Sequence, residues 1–268
     1  MLVPRLTGRF GPGVLSMMTV FALAACGGGG STPAATRTSI ETLPSGKSLP
    51  TVTYDSTNDS ISLSNGTNLT RDTKVDLGDF HAYTDGSNSF YWRDASASGA
   101  LWAGFGSVTD NGSQVAGVEF HRNGSANIPS SGTASYSGAY GGIITDQSGN
   151  LNGNGAVSGS VALQADFGAA TVNGSITNRN FYGNADTSTP TATLGDLSLS
   201  GGAIDGNGFF KGTATGGAAT TFTDTTSQGI FTGEFGGATG NEAVGAVQIN
   251  HTTSAGTFVE TGAFVAKQ

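Results

Sequence analysis

The stretch Val157-Ser-Gly-Ser-Val-Ala-Leu-Gln-Ala-Asp-Phe167 decides how this chain folds. Its odd positions hold Val157, Gly159, Val161, Leu163, Ala165 and Phe167, and its even positions hold Ser158, Ser160, Ala162, Gln164 and Asp166. An apolar face recurring every second residue is the mark of a strand with one side buried and one side wet. The next run repeats it: Ala170, Val172, Gly174 and Ile176 share one face, with Thr171, Asn173, Ser175 and Thr177 on the other. No comparably long segment after residue 26 keeps apolar residues at a 3.6 spacing, so the chain is expected to be almost free of helix.

Outward from this stretch, eight alternating runs follow one another. They lie at Gly132–Ile143, Gly155–Phe167, Ala169–Thr177, Thr193–Gly201, Gly208–Thr215, Gln228–Phe235, Asn241–Asn250 and Thr257–Ala266. Turn-forming clusters such as Asp146 to Asn150, Asp205 to Gly208 and Gly236 to Gly240 separate several of them. Short connections join antiparallel neighbours, so the simplest topology is an up-and-down meander. Eight strands can close on themselves around a filled interior, and closure removes exposed sheet edges. Glycines fall on the same faces as rings, as in Gly208-Phe-Phe210-Lys-Gly212 and Gly229-Ile-Phe231-Thr-Gly233-Glu-Phe235. A missing Cβ permits the sharp bend of a small barrel and leaves room for a facing ring.

The first thirty residues read differently. Arg5 and Arg9 precede the uncharged apolar run Val14 to Ala25, which has 12 residues. That is shorter than the roughly 20 needed to cross a bilayer as a helix, and it fits the core of a signal peptide. The run ends in Leu23-Ala24-Ala25-Cys26, which resembles the lipobox of bacterial lipoproteins. The resemblance implies cleavage before Cys26 and lipidation of its thiol, the only cysteine in the chain. Gly27 to Thr38 is Gly-, Ser- and Thr-rich and reads as part of a flexible tether over residues 26–50. In enteric lipoproteins, a residue other than Asp after the lipidated cysteine permits passage to the outer membrane. Gly27 satisfies that rule, so a lipid-anchored outer-membrane location is expected, on either its periplasmic or its external face.

Composition narrows the function. The formal net charge is −8 for 268 residues and becomes about −10 once Arg5 and Arg9 leave with the signal. Nucleic acid and anionic lipid surfaces call for a basic patch, so a nucleic-acid partner is not expected. There is no G-x-S-x-G, no C-x-x-C and no His pair at helical metal spacing, so no catalytic residue, metal site or cofactor is assigned and no enzymatic activity is expected. Gly46-Lys47-Ser48 ends like a P-loop, but Glu41 stands where the first glycine belongs, and the segment reads as linker. Of the three histidines, His81 and His121 lie near Tyr83 and Phe120 and are the residues that could ligate haem; the simpler reading puts each on an exposed strand face. Asp-Gly and Asn-Gly pairs, as in Ala203 to Gly208, read as tight turns and not as calcium repeats, which need a strict period. Phe90, Tyr91, Trp92 and Trp102 form the densest aromatic group, read here as core, with a binding surface as the alternative.

Gly229-Ile-Phe-Thr-Gly-Glu-Phe-Gly-Gly-Ala-Thr-Gly-Asn-Glu242-Ala-Val-Gly245, with Gly262-Ala-Phe264 after it, resembles the closing signature of the barrel domain of transferrin-binding protein B-like surface lipoproteins. Ser131 to Gly138 and Ala165-Asp-Phe167 followed by Val172 to Ile176 fit the same family, over roughly residues 130 to 268. The resemblance implies an all-β chain: an eight-stranded antiparallel up-and-down soluble barrel at 131–268, preceded by a smaller irregular β handle at 51–130. Candidate handle strands are Thr51–Tyr54, Ser60–Leu63, Phe90–Arg93, Leu101–Val108 and Val115–His121. With residues 1–25 as signal peptide and 26–50 as tether, the chain has room for one handle and one barrel, whereas large family members have two such lobes.

The implied function is non-enzymatic binding at the outer-membrane surface, in iron or haem acquisition, with a host or environmental protein or haem as ligand. The alternative is a structural or adhesive envelope lipoprotein without a small ligand. An integral outer-membrane barrel or barrel enzyme fits poorly, because the apolar faces are built largely of Gly, Ala and a few Phe and the expected lipid already serves as anchor. No motif in this chain matches the family's contact loops, so no contact residue is assigned.

Overall fold

Two alternating runs joined by a turn make a hairpin; this chain uses that unit repeatedly and builds two sheets from it. The computed structural model describes residues 36–43, 49–95, 101–125, 127–146, 155–183, 187–217, 224–253 and 256–268. The expected signal peptide, Cys26 and Gly46 to Ser48 lie outside the described residues.

The first sheet contains β1 (Thr36–Leu43), β2 (Val52–Asp55), β3 (Ser60–Leu63), β4 (Asn68–Arg71), β5 (His81–Thr84), β6 (Ser89–Asp94), β7 (Leu101–Asp110) and β8 (Ser113–Arg122). Each strand from β2 to β8 pairs with the next, and β1 returns to pair antiparallel with β8. A single 3₁₀ turn at Thr73–Val75, capped by the Asp72 side chain, is the one helical element among the described residues.

The tether expected over residues 26–50 is therefore corrected in part. Thr36–Leu43 is a strand that carries the handle sheet one strand further than expected. Its sequence, TRTSIETL, holds too few apolar residues for alternation to be seen, but its β-branched Thr and Ile residues suit an edge strand. Strands β4 and β5 were also not anticipated; at four residues each they are too short to display a period.

The second sheet contains β9 (Thr133–Asp146), β10 (Gly155–Asp166), β11 (Thr171–Tyr182), β12 (Ala192–Leu194), β13 (Leu197–Ile204), β14 (Phe209–Gly216), β15 (Asp224–Gly236), β16 (Glu242–Thr253) and β17 (Gly256–Lys267). Except for the short β12, which hangs on the end of β11, each strand pairs antiparallel with the next, and β17 pairs with β9. The result is a closed up-and-down barrel of eight strands, with the eight alternating runs of the sequence as its staves. The run expected at Thr193–Gly201 divides into β12 and the start of β13, because Gly195 turns its carbonyl inward to Arg179.

Rings from alternate positions fill the barrel: Phe210, Phe231, Phe235 and Phe264 are fully buried there, with Val157, Leu163 and Val172. Gly233 is the cross-strand partner of Phe210 and Gly245 of Phe264. A Cβ on Gly233 would lie 2.5 Å from the Phe210 ring, and one on Gly245 2.4 Å from the Phe264 ring. In an interior packed at crystal density, each ring occupies the space that glycine leaves open.

The barrel wall and the handle share a second apolar core. Phe80, Phe105, Val118 and Phe120 of the handle pack on Ala139, Ile143, Ala246 and Val265, which point outward from the barrel. The two come close at Gly141, where a Cβ would stand 2.6 Å from the Phe105 ring. Arg122 of β8 reaches across the seam and donates to the Phe235 carbonyl at 2.7 Å and to the Asn207 carbonyl at 3.0 Å. The barrel wall away from the handle is polar: Asn173, Ser198, Ser200, Lys211, Thr213 and Thr215 are exposed.

Candidate functional site

The handle sheet has two faces, and the period of two assigns each residue to one of them. On β6, Tyr91 points to the barrel, while Phe90, Trp92 and Asp94 point away from it; on β7 Trp102, and on β8 His121, join the away-facing set. The aromatic group of the sequence is therefore split. Phe90 and Trp92 are core on one side of the sheet and Tyr91 on the other, as expected, and Trp102 keeps part of its surface exposed.

The away-facing side forms a row of rings. Tyr54 stacks on Trp92 with ring centroids 4.2 Å apart, Trp92 lies 6.4 Å from Trp102, and Trp102 stacks on His121 at 5.7 Å. Cross-strand pairing dictates the order, because Asp94 faces Trp102 and Trp102 faces His121 directly. Two polar atoms within this row are buried and have no hydrogen-bond partner: the Trp92 Nε1 and the Asp94 Oδ1. Burial, and then the nearby Glu242, push the Asp94 carboxyl up to about 7 against the opposing pull of Lys267.

A polar network borders the row. Asp59 Oδ1 accepts from the Tyr83 hydroxyl at 2.8 Å and from the Tyr54 hydroxyl at 3.1 Å. Arg71 makes a two-pronged pair with Asp76, both contacts 2.6 Å, and lies 2.7 Å from His81 Nδ1. Although burial opposes it, Arg71 and the Ala82 amide hold the Asp76 carboxyl below its usual range. His81 is thus engaged by Arg71, and His121 lies three strand spacings away on β8, ~14 Å at about 4.8 Å per strand. The structure does not bring the two histidines to one ligand. Among the described residues, no group of three His, Cys, Asp or Glu side chains could hold a metal.

The third histidine lies inside the barrel, in a cluster that sequence reasoning missed. Glu260 of β17 is fully buried and meets the Arg179 guanidinium, the Tyr140 hydroxyl at 2.7 Å and His251 Nε2 at 3.0 Å. Burial alone would raise its carboxyl, but Arg179, His251 and Tyr140 hold it down at about 2. Burial and the adjacent carboxylate push the Tyr140 phenol well up. Ser227 Oγ lies 3.0 Å from His251 Nδ1, which completes a Ser-His-Glu chain. Its carboxylate is already neutralised by Arg179, so the histidine serves as one more donor in a buried plug.

The alternation did signal part of this cluster. Glu260 shares the inward face of Gly262 and Phe264, and His251 that of Val247 and Ile249. A charged residue at an inward position of a filled barrel demands a buried partner.

Comparison with known proteins follows the same division. The sequence profile of a family described as the C-lobe and N-lobe β-barrels of transferrin-binding protein B matches residues 128–268, more than half the chain. No curated protein matches the chain by sequence. Among solved structures, the chain is similar to isotype 1 transferrin-binding protein B of serogroup B Neisseria meningitidis, with 15% identity and a TM-score of 0.49 over 87% of this chain and 43% of that one. It is also similar to a single-substitution mutant of the Haemophilus parasuis Hp5 vaccine antigen of the same name, with 15% identity and a TM-score of 0.47 over 87% of this chain and 44% of the other. The chain thus spans less than half the length of these structures.

Proposed function

The chain belongs to the family of transferrin-binding protein B lobe barrels, and from that premise we propose that it is a non-enzymatic binding protein of the outer-membrane surface, anchored by lipid on Cys26. Its partner in this reading is a soluble host iron carrier of the transferrin type, and its role is iron acquisition. The family consists of binding proteins and not enzymes, which agrees with the lack of a catalytic motif in the sequence. The observation that carries the reading is the division of labour between the sheets. The barrel is filled and locked by its own side chains, whereas the handle carries Tyr54, Trp102 and His121, partly exposed, around a buried Trp92 on the side away from it.

Two measurements test the proposal. Cells expressing the full chain should incorporate labelled palmitate into it, and Cys26→Ala should abolish the label. Intact cells carrying the native chain should retain transferrin on washing, and cells without it should not. Lipid labelling without retention of any iron carrier would favour the second reading, an adhesive or structural envelope lipoprotein, which the polar barrel wall equally accommodates.

A further inference from the structure

Five Asn-Gly pairs lie among the described residues, at Asn65, Asn111, Asn123, Asn173 and Asn207. In such a pair the glycine amide nitrogen can attack the asparagine side chain, because no Cβ screens it and a free backbone brings the two together. Four of the pairs are held. The Gly66 amide donates to the Leu63 carbonyl at 2.9 Å, and the Gly208 amide to the Asp205 carbonyl at 3.0 Å. Asn111 is fixed in the left-handed region at φ +48°, with its Nδ2 donating to Asp110 at 3.1 Å. Asn173 lies within β11, where its Oδ1 accepts from the Gly201 amide at 2.9 Å. Asn123 is different. It is exposed just past the end of β8, and no hydrogen bond joins its side chain or the Gly124 amide to another described residue. A Cβ on Gly124 would meet nothing within 4 Å.

We propose that Asn123 is a site of spontaneous deamidation, through which the connection from handle to barrel acquires a carboxylate and, in part, an isoaspartyl link. The Gly124 nitrogen gives its proton to base in the solvent and bonds to the Asn123 Cγ. The Cγ–Nδ2 bond breaks and ammonia leaves. Water then opens the resulting cyclic imide at either carbonyl, giving aspartate from one opening and isoaspartate from the other. Water is the one co-reactant, and no enzyme is needed. The place gives the reaction its consequence, because the chain is pinned on both sides of it. Arg122, the preceding residue, donates to the Phe235 and Asn207 carbonyls across the seam, and Ile128 packs against the barrel core. The extra main-chain methylene of isoaspartate therefore enters a span fixed at both ends, and the new carboxylate is next in sequence to Arg122. This chemistry goes beyond the binding reading and does not depend on it.

The purified full chain is incubated at mildly alkaline pH, folded in buffer and unfolded in guanidinium chloride, and peptide mass spectrometry follows each pair. Deamidation adds about 1 Da per site, which gives a rate for each asparagine in both states. The quantity compared is the protection, the unfolded-state rate divided by the folded-state rate. It should be near one at Asn123. At Asn65, Asn111, Asn173 and Asn207, where folding denies the attack geometry, it should be about tenfold or more. Protection at Asn123 of about tenfold or more, or no lower than at the other four, overturns the inference.

Discussion

Two carboxylates, Glu260 in the barrel and Asp94 on the handle, are both withdrawn from water, and their surroundings treat them in opposite ways. Glu260 receives a guanidinium, a phenol and an imidazole and is held ionised, with its carboxyl at about 2. Asp94 has one oxygen with no partner, lies near Glu242, and has its carboxyl pushed up to about 7. A buried carboxylate supplied with donors on all sides stays ionised, whereas one left short of donors costs free energy and keeps its proton to higher pH. In the proposed reading, the barrel is the support and the handle carries the binding surface.

The largest effect expected from breaking this contrast is at the barrel plug. Glu260→Leu strands the Arg179 charge in the interior and should cost about 3–5 kcal/mol, read as a lower urea midpoint. Adding Arg179→Met should restore most of the loss, since two matched apolar side chains replace a charge pair at little cost. Because the Glu260 carboxyl is held below its unfolded value, its contribution is complete above pH ~4.5 and is lost as the pH falls toward 2. Glu260→Gln should therefore flatten the acid limb of the stability curve.

A smaller effect is expected where the two regions meet. Gly141→Val places a side chain against the Phe105 ring and should cost about 1–3 kcal/mol by overpacking. The loss should fall on the seam, so amide exchange in β7 should quicken more than in β13, which contributes no residue to the shared core. Equal quickening in both strands would mean that handle and barrel unfold as one unit.

The smallest effect concerns Asp94. Its folded carboxyl titrates above its unfolded value, so the unfolded state gives up its proton first and stability falls as the pH rises from about 4 through 7. Asp94→Asn should remove that decline and leave the variant more stable at pH 8. The gain should be on the order of 1 kcal/mol or less after solvent screening of a partly exposed group. A native chain equally stable at pH 5 and pH 8 would contradict the assignment.

Most of the barrel was legible in the sequence because its strands are long enough to show a period of two and its turns carry Gly, Asp and Asn. At Asp205 the expected turn is made as written, with its carboxylate accepting from the amides of Asn207 and Phe209. Arg179 was not legible, for a physical reason. A bulge between Thr177 and Asn180, with Asn178 at φ +53°, shifts the parity of β11, so that Ile176 and Arg179 both face inward although their numbers differ in parity. On the handle, the sequence flagged Trp92 and Trp102 but not Tyr54, which reaches Trp92 only because β2 to β4 curl over β6. Nor did it flag Asp94, whose lack of a donor depends on packing from several strands.

The most direct test of the account is transferrin capture by intact cells bearing the full chain, compared between Trp102→Ala on the handle and Lys211→Ala on the exposed barrel wall. The account predicts a loss of about tenfold or more with Trp102→Ala, as for an aromatic anchor at an interface, and unchanged capture with Lys211→Ala. Capture that survives Trp102→Ala and fails with Lys211→Ala would place the binding surface on the barrel and contradict it.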